Sequence, residues 1–454
     1  MGLDSLGIIQ AQTKLLQYNY VLNTQDFYKF NTIKSLAENI DKNIYTYKTA
    51  DAQVPIEFRH KFDEILSKID KKELSDKILG NVFLTGANGS IGIHILHELL
   101  KNTKSKIYCL VRGSSIAQST ERLQQKYKFY FNKNIQHLLN KRIFILNGNI
   151  TKQNIGLSNQ IIDLIKENVS TIIHTAAIVK HYGNYDQFNN INVNGTKNVA
   201  ELAFNLKKRL IHISSISVSG NYLVKQDNRN TEFSENNLYI GQNYNDNVYV
   251  HSKFEAEKII LEYMEKGLIA QIHRIGILSG RYSDGVFQEN ISDNAFYNRI
   301  KTIVNLGEIS ETMLNQEIEF TPIDICSKAI VCLAKNSITD NKIYHLFNHN
   351  FIEIKDIVQI LNSLEFDIKI VSDEDFRNKI LTLSKGKNSK ALLGIINDFD
   401  YSNKEKISIN YNYSVKIVSD YTQKYLHLLK CDWNETSKSY IRKLLLYMKK
   451  VNFI

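Results

Sequence analysis

The stretch NVFLTGANGSIGIHILHELL, residues 81–100, decides the fold of this chain. A short apolar run is followed directly by glycines at positions 86, 89 and 92, and then by an amphipathic segment with leucine or isoleucine at helical spacing. Glycines at such a turn let the backbone approach a pyrophosphate, whose charge is stabilised by the free N–H groups and the dipole of the helix start. Because a strand precedes the turn and a helix follows it, the stretch predicts a dinucleotide-binding turn rather than an ordinary structural one.

Apolar runs keep alternating with helix-like segments downstream of this turn. The runs are 106–111, 142–146, 171–177, 209–214 and 270–278, and segments such as TKNVAELAFNL (196–206) lie between them. This alternation predicts an α/β fold, a doubly wound parallel sheet of the Rossmann type with helices on both faces. Beyond about residue 350 the pattern is mixed and predicts a smaller, mainly helical subdomain.

Length and composition exclude several classes of protein. A chain of 454 residues, 43% hydrophobic and 23% charged, is long enough for two or three globular domains and is neither disordered nor collagen-like. The sequence holds no apolar run long enough to span a bilayer and no secretion signal at its start, so we expect a cytoplasmic protein without a membrane partner. Only two prolines occur, so domain boundaries have to be inferred from polarity.

The net charge of +10 does not predict nucleic-acid binding, because the lysines are spread along the chain and no nucleic-acid-binding module is recognisable. A net positive charge is also compatible with a protein that binds phosphorylated cofactors. The four cysteines, Cys109, Cys326, Cys332 and Cys431, have no metal-ligand spacing. They therefore predict neither a metal site nor a disulfide framework.

The end of the second apolar run indicates which nicotinamide cofactor is used. In CLVRG, Arg112 stands where an acidic residue would accept a hydrogen bond from a ribose 2′-hydroxyl. A guanidinium instead pairs with a 2′-phosphate, so we expect NADPH rather than NADH. Arg122, one helix further on, is a weaker second candidate for that phosphate.

Tyr249 and Lys253 are the candidate proton-transfer residues. Their four-residue spacing in NVYVHSKFEAEKII puts both side chains on one face of a predicted helix. Spacing alone is weak, since Tyr297 and Lys301 share it, and we interpret that second pair as an ordinary surface pair. Tyr249, however, follows the fifth run, whose end carries hydroxyl groups at the edge where open α/β sheets bind ligands. A nearby ammonium would favour the phenolate and lower the pKa of the Tyr249 phenol from its ordinary value of about 10 toward neutral pH.

Two further polar residues complete the candidate site. Ser215, at the end of the fifth run, can hold a substrate oxygen, or it can simply bond to the backbone at the strand end. Asn192, in NINVNGT, can complete a proton path through water, or it can cap a helix. Lys253 can also bind the ribose of the nicotinamide.

Several motifs, taken in order, resemble one enzyme family. They are TGANGSIG, CLVRG, HTAA, NVNGT, ISSISVSG, YVHSK and EFTPID, and they are similar to the extended short-chain dehydrogenase/reductases. The stretch HRIGILSGRYSDGVFQENISDNAFYNRIKTIVNLG is similar, more specifically, to the terminal thioester reductase domains of nonribosomal peptide synthetases. The resemblance covers about residues 79–365. It implies catalysis by Ser215, Tyr249 and Lys253, and cofactor binding by a set formed of Gly86, Asn88, Gly89, Ser90, Ile91, Gly92, Arg112, Arg122, Asn149, Ile150, Ala176, Ala177, Asn192, Tyr249 and Lys253.

The chain departs from the family pattern at a few of these positions. Asn149 stands in GNI where the family often has an aspartate, so it would contact adenine as an amide. Ser215 replaces the usual threonine, and RIG at 274–276 lacks a proline common in relatives. These changes are chemically tolerable, and none falls on Tyr249 or Lys253.

The N-terminal segment resembles the second half of a peptidyl carrier domain. Ser5, in GLDSL, matches the serine that bears the phosphopantetheine arm, and TIKSLAENI (32–40) follows at a suitable separation. Taken alone, Ser5 would be interpreted as a helix cap. The predicted organisation is a partial carrier at 1–45, a linker at 46–78, a Rossmann reductase domain at 79–350 with a substrate-side insert at 281–320, and the helical subdomain at 351–454.

Together these features predict an enzyme that uses NADPH to release an acyl or peptidyl thioester from the phosphopantetheine arm of a carrier as an aldehyde. Its partners would be that carrier and the upstream modules of a nonribosomal peptide synthetase. The alternatives are a fatty acyl-CoA reductase, a nucleotide-sugar enzyme of the same class, and a non-catalytic NADP-binding sensor. The acyl group and a second reduction to the alcohol stay open, although Phe287, Phe296 and Met313 are candidates for the substrate side.

Overall fold

A computed structural model describes most of the chain. The described residues are 8, 11, 15, 20, 22, 24–30, 32–43, 79–180, 183–220, 231–245, 247–384, 399–400, 408–409 and 415–454. Ser5 and the predicted linker at 46–78 lie outside the described residues. The helix predicted over residues 32–40 is present at Ile33–Asn43.

Strands are numbered in chain order over the described residues. They are β1 (Val82–Thr85), β2 (Ile107–Val111), β3 (Ile143–Asn147), β4 (Thr171–His174), β5 (Arg209–Ser215), β6 (Thr231–Phe233), β7 (Ala270–Ile275), β8 (Leu278–Ser279), β9 (Glu308–Ser310), β10 (Glu317–Ile318), β11 (Thr321–Pro322), β12 (Lys342–Leu346), β13 (Ile352–Glu353), β14 (Lys369–Val371), β15 (Phe399–Asp400), β16 (Ser408–Ile409) and β17 (Val415–Ile417).

The α-helices are numbered in the same way. They are α1 (Thr24–Lys29), α2 (Ile33–Asn43), α3 (Ser90–Asn102), α4 (Ile116–Phe131), α5 (Asn159–Asn168), α6 (Tyr185–Phe188), α7 (Gly195–Asn205), α8 (Val248–Glu265), α9 (Ala295–Leu306), α10 (Ile323–Ala334), α11 (Ile354–Ser363), α12 (Asp373–Ser384), α13 (Asp420–Leu428) and α14 (Lys438–Lys450). A π-helical turn, Asn189–Asn194, leads directly into α7.

The central sheet has seven strands among the described residues, in the order β12-β7-β5-β4-β1-β2-β3. Every pair of neighbours is parallel. All six predicted apolar runs contain a strand of this sheet, so the predicted doubly wound fold is confirmed. β12 was not predicted, because His345 interrupts its apolar pattern. The imidazole of His345 is buried and bonds to the Arg274 side chain.

Alternating side chains of the strands build a core on each face of the sheet. In β1, Phe83 packs into one core, and Val82 and Leu84 pack into the other. The amphipathic helices close both cores, as the sequence pattern requires. This arrangement fixes the carboxyl ends of the strands at one edge of the sheet, where the candidate residues lie.

A third core joins the predicted insert at 281–320 to the C-terminal segment. Phe287 and Met313 belong to this core and are buried, so these two candidates for the substrate side are structural residues instead. Tyr297 was expected at the surface, but it is also buried: its ring stacks on Phe287 and its hydroxyl accepts the Gly280 N–H at 2.9 Å. The helices α11 to α14 make the C-terminal segment mainly helical, as predicted. The domain boundary at residue 350 stays a prediction.

Two of the cysteines form a disulfide, between Cys332 on α10 and Cys431 just after α13. The cysteine spacing, which predicted no disulfide framework, therefore missed this pair. The two positions are 99 residues apart and meet only because α10 and α13 pack together, so local spacing carries no signal of the pairing. Cys109 and Cys326 are free and buried.

The described residues contain no helix with the length and apolar character of a membrane span. They also contain no cluster of three or more histidine, cysteine or acidic side chains that could hold a metal ion.

A buried ion pair ties β5 to the loop before β12. The guanidinium of Arg209 bonds to the Asp340 carboxylate and to the carbonyl oxygen of Ala334, and both charged side chains are fully buried. Removing one partner leaves an uncompensated buried charge, which costs more than the intact pair contributes.

We predict that Asp340→Ala lowers the free energy of unfolding by about 3–5 kcal/mol, because Arg209 then stays buried without its counter-charge. Urea unfolding followed by circular dichroism measures this loss. Glu232→Ala is the matched control, since its pair with Lys416 is exposed and should contribute nothing measurable. Equal stabilities of the two variants would contradict the prediction.

Candidate active site

The glycine turn between β1 and α3 has the shape that a pyrophosphate requires. Gly86 adopts φ +68°, and a Cβ at this position would lie 2.5 Å from Thr175 Oγ1. A Cβ on Gly92 would lie 2.1 Å from the carbonyl oxygen of Gly86. Gly89 caps α3 without a side chain, which leaves the first N–H groups of the helix open toward the turn. Asn88, Ser90 and Ile91 complete the turn and are partly exposed.

Neighbouring strands support this turn through buried hydroxyl and imidazole groups. Thr85 Oγ1 bonds to His174 Nδ1 at 2.8 Å, and His174 Nε2 bonds to Thr196 Oγ1 at 3.1 Å. Burial lowers the pKa of His174 to about 3, so its imidazole is neutral. The chain then continues through Ala176 and Ala177, both partly buried directly beyond the end of β4. The predicted dinucleotide residues after β1 and β4 therefore lie at one edge.

Two arginines meet at the end of β2. Arg112 is exposed immediately after this strand, and the Arg122 guanidinium donates a hydrogen bond to the Arg112 carbonyl oxygen. The contact brings Arg122 back from α4 to the same strand end. Both predicted phosphate-binding arginines therefore lie beside the position that a ribose 2′-phosphate occupies in this fold.

Asn149 and Ile150 follow β3. The Asn149 side-chain oxygen accepts hydrogen bonds from the backbone N–H and the hydroxyl of Thr151, at 3.1 and 3.0 Å. Ile150 is buried, and its side chain fills the space that a Cβ on Gly195 would need. Asn149 therefore shapes the turn through its oxygen, and its role toward adenine stays a prediction.

The helix α8 presents the two candidate proton-transfer residues. Asn247 caps it by accepting the N–H groups of Tyr249 and Val250, so the first turn of the helix, which contains Tyr249, is fixed. Lys253 follows one turn later and Glu257 two turns later, on the same face of the helix. Tyr249 and Lys253 therefore share one face of a helix, as their spacing predicted.

Tyr249 bonds to Ser215 at the end of β5. Burial raises the pKa of the Tyr249 phenol above its usual value, and the hydrogen bond to Ser215 opposes this only in part. The expectation that a nearby ammonium lowers this pKa is therefore not met. Ser215 also bonds to Ser217, at 2.8 Å between the two hydroxyl oxygens. Tyr249 keeps its proton at neutral pH, as a proton donor must.

Lys253 follows Tyr249 by one helical turn, and its ammonium donates to the carbonyl oxygen of Ile213 at 2.7 Å. Burial lowers the pKa of Lys253 to about 8, and the Glu257 carboxylate acts in the opposite direction. Glu257 is in turn held by a buried, bidentate bond to Arg274 on β7. Neither Glu257 nor Arg274 was identified from the sequence, although the i+4 spacing of Glu257 after Lys253 was a usable signal.

Both polar atoms of the Asn192 side chain form hydrogen bonds. It lies inside the π-helical turn, its Oδ1 accepts the Ile178 N–H at 2.8 Å, and its Nδ2 donates to the Ile178 carbonyl and to Ser252 Oγ, each at 2.9 Å. It therefore ties the loop after β4 to α8. It is not a helix cap, and a role in a proton path stays a prediction.

Comparison with known proteins supplies the family. Residues 84–330 match the family model described as male sterility protein, a set of NAD-binding domains. The chain belongs to the male sterility protein family. This family segment contains both the glycine turn and the α8 residues Tyr249 and Lys253.

A solved thiolation-reductase di-domain from an archaeal nonribosomal peptide synthetase is similar to this male sterility family member over its full length. It is 31% identical, with a TM-score of 0.81, and the match covers 100% of this chain and 92% of the di-domain. This likeness confirms the resemblance to terminal thioester reductase domains preceded by a carrier segment.

Curated relatives are much longer than this chain. One component of the linear gramicidin synthase of Brevibacillus parabrevis is 25% identical over 360 residues, which are 74% of this chain and 7% of the relative. The large subunit of L-2-aminoadipate reductase from Candida glabrata is 24% identical over 391 residues, which are 80% of this chain and 28% of the relative. The chain thus spans less than a third of either relative.

We predict that Gly92→Ala weakens NADPH binding by about tenfold or more, because the added methyl group would lie against the Gly86 carbonyl and open the turn. Titration of NADPH fluorescence measures the affinity. Gly89→Ala is the matched control, since its Cβ would meet the same oxygen at 3.2 Å and should have a smaller effect. An equal loss in both variants would contradict this account of the turn.

Proposed function

We propose that this protein uses NADPH to release an acyl or peptidyl thioester from the phosphopantetheine arm of a carrier, giving an aldehyde. The observation that carries the proposal is the Ser215–Tyr249 hydrogen bond at the sheet edge, with Lys253 one helical turn further along α8 and bonded to Ile213 of β5. The likeness to a thiolation-reductase di-domain supports the choice of substrate class.

The residues present fit a dinucleotide. Gly86, Gly89 and Gly92 would admit the pyrophosphate, Arg112 and Arg122 would pair with the 2′-phosphate, and Lys253 would hold the nicotinamide ribose. When bound, the cofactor supplies a hydride to the thioester carbonyl. The carboxyl edge of the sheet brings all of these groups to one side.

The chain's own residues stabilise the charge that develops on the substrate. As the carbonyl carbon gains two electrons, its oxygen becomes an oxyanion, which the hydroxyl groups of Ser215 and Tyr249 bind. Tyr249 then gives its proton to this oxygen, and the Ser215 hydroxyl bonds to the resulting phenolate. The hemithioacetal collapses when its C–S bond breaks: the pantetheine sulfur leaves as a thiol with the hydroxyl proton, and the aldehyde remains.

The N-terminal segment would deliver the substrate. Ser5 would carry the phosphopantetheine arm of a partial carrier at 1–45, with upstream modules of a nonribosomal peptide synthetase as partners in the cytoplasm. In the structure, Gln25 on α1 donates to the Gly183 carbonyl oxygen at 3.3 Å. Gly183 lies shortly before α6, whose Tyr185 bonds to His251 on α8. This contact supports a carrier that approaches from the α8 side of the site.

We predict that NADPH is oxidised fastest with an acyl group on a phosphopantetheinyl carrier, because the carrier can dock as well as present its thioester. Matched assays with the same acyl group on a carrier and on coenzyme A measure the difference in kcat/KM, and the released aldehyde is identified by mass spectrometry. Faster oxidation with acyl-CoA, or with a nucleotide sugar, would replace the proposal with one of the alternative enzymes. NADPH binding without oxidation of any substrate would indicate a sensor.

We predict that Arg112→Ala raises the Kd for NADPH about tenfold and leaves the Kd for NADH unchanged. Only NADPH carries the 2′-phosphate that Arg112 would bind. Fluorescence titration with both cofactors measures the two constants. Lys128→Ala, which removes an exposed charge elsewhere on α4, is the control and should change neither. A parallel loss for NADH and NADPH in Arg112→Ala would contradict phosphate recognition by this residue.

A further inference from the structure

Glu319 is a half-buried carboxylate that the proposed chemistry does not use. It lies between β10 and β11, where it joins three loops. Its Oε2 accepts the Ile277 N–H at 2.8 Å, and its other oxygen accepts the Thr321 hydroxyl. The Thr321 hydroxyl oxygen in turn accepts the backbone N–H of Asn348, in the loop after β12, at 3.0 Å.

The position of Glu319 follows from the register of the sheet. Ser215 at the end of β5 pairs with Ile275 on β7, which in turn pairs with Leu346 on β12. Gly276 is the next residue beyond β7, and a Cβ there would lie 2.6 and 2.7 Å from the two Glu319 oxygens. Gly276 is one strand spacing of about 4.8 Å and one residue away from Ser215, so Glu319 lies within about 10 Å of Ser215 along the ligand-binding edge.

This part of the edge is open to solvent. Ile277 is 45% exposed and Phe351 is 46% exposed, and both belong to loops that follow the strands beside Glu319. The glycine at 276 is what leaves room for the carboxylate, since any side chain would displace it. A ligand extending from Ser215 across β7 would therefore pass the Glu319 oxygens.

The charge of Glu319 is not balanced by its described contacts, which are all neutral donors. Burial raises the pKa of this carboxyl to about 7, and the hydrogen bonds lower it only in part. The titratable groups that feel its charge are the Cys326 thiol on α10 and the Tyr440 phenol on α14, and burial raises the pKa of both, so they stay neutral. Carboxylates with this little access to water are usually paired with a cation.

We propose that Glu319 is a specificity-determining residue that binds an ammonium group on the distal part of the acyl chain. The inference rests on the proposed function and adds a substrate class to it: acyl groups with a primary amine within about 10 Å of the thioester carbonyl. An eight-carbon chain with a terminal amine has about this reach, at roughly 1.2 Å per bond. The backbone N–H groups around the carboxylate keep it in place to receive the ligand.

The test uses the full chain with NADP⁺ and two ligands that cannot be reduced, the octanoyl and 8-aminooctanoyl amides of aminopantetheine. We expect the wild-type protein at about pH 8 to bind the amino ligand about tenfold more tightly in titration calorimetry, because the ammonium pairs with the Glu319 carboxylate. Glu319→Gln should bind both ligands equally. Glu317→Gln, which removes an exposed carboxylate two residues away, should keep the preference.

The same preference should depend on pH in the wild-type protein. The amine stays charged between about pH 6 and pH 8, whereas Glu319 loses its charge as the pH falls through about 7, so the preference should fade toward pH 6. This measurement uses only the wild-type protein. It therefore tests the proposal even if the Glu319→Gln variant does not fold. Equal binding of both ligands by the wild type, a preference kept in folded Glu319→Gln, or a preference independent of pH would each overturn the proposal. The binding assay requires no turnover. A failure of the proposed thioester reduction would therefore appear only in the NADPH oxidation assay and not in this binding assay.

Discussion

The ammonium of Lys253 is enclosed inside the protein, and the arrangement of the site depends on how its charge is compensated. A buried cation is costly unless charges and dipoles around it are fixed. Here the Ile213 carbonyl accepts its hydrogen bond, and Glu257 lies one helical turn further along α8. Arg274 holds Glu257 from β7, so the helix face that carries Tyr249 is tied to two strands of the sheet.

This constraint links the fold to the proposed chemistry. The parallel order of the strands puts the glycine turn, Ser215 and the start of α8 at the same edge. Asn192 then ties the loop after β4 to α8 through Ile178 and Ser252, so this loop is held beside the first turns of that helix. A phenol that keeps its proton and a serine that bonds to it are what an oxyanion formed at this edge requires.

Local patterns in the sequence were sufficient for most of the sheet and for the residues around the glycine turn. Apolar runs and glycine spacing depend on neighbours in the chain, so β1 to β5 and β7 could be predicted. The spacing of Tyr249 and Lys253 predicted a shared helix face for the same reason. The surface position predicted for Tyr297 was wrong, since its burial depends on Phe287 and Gly280, which spacing does not reveal.

What the sequence could not predict depends on contacts between distant segments. Three contacts join residues that are close together only in the folded chain. They are the Cys332–Cys431 disulfide, the Glu257–Arg274 pair and the hydrogen bond from Ile277 to the half-buried Glu319. The raised pKa of Tyr249 has the same origin, because desolvation by the surrounding protein outweighs the hydrogen bond from Ser215. Long-range packing therefore sets the electrostatics of the site, while short-range pattern sets its location.

The most direct test of the central claim is a single-turnover reduction of a carrier-bound thioester with NADPH deuterated at both C4 positions. The account predicts one deuterium on the aldehyde carbon, formed about 100-fold more slowly or worse in Tyr249→Phe and at the normal rate in the matched Tyr297→Phe. Deuterium transfer in Tyr249→Phe at the wild-type rate, or an aldehyde without deuterium, would contradict the placement of this phenol at the reacting carbonyl.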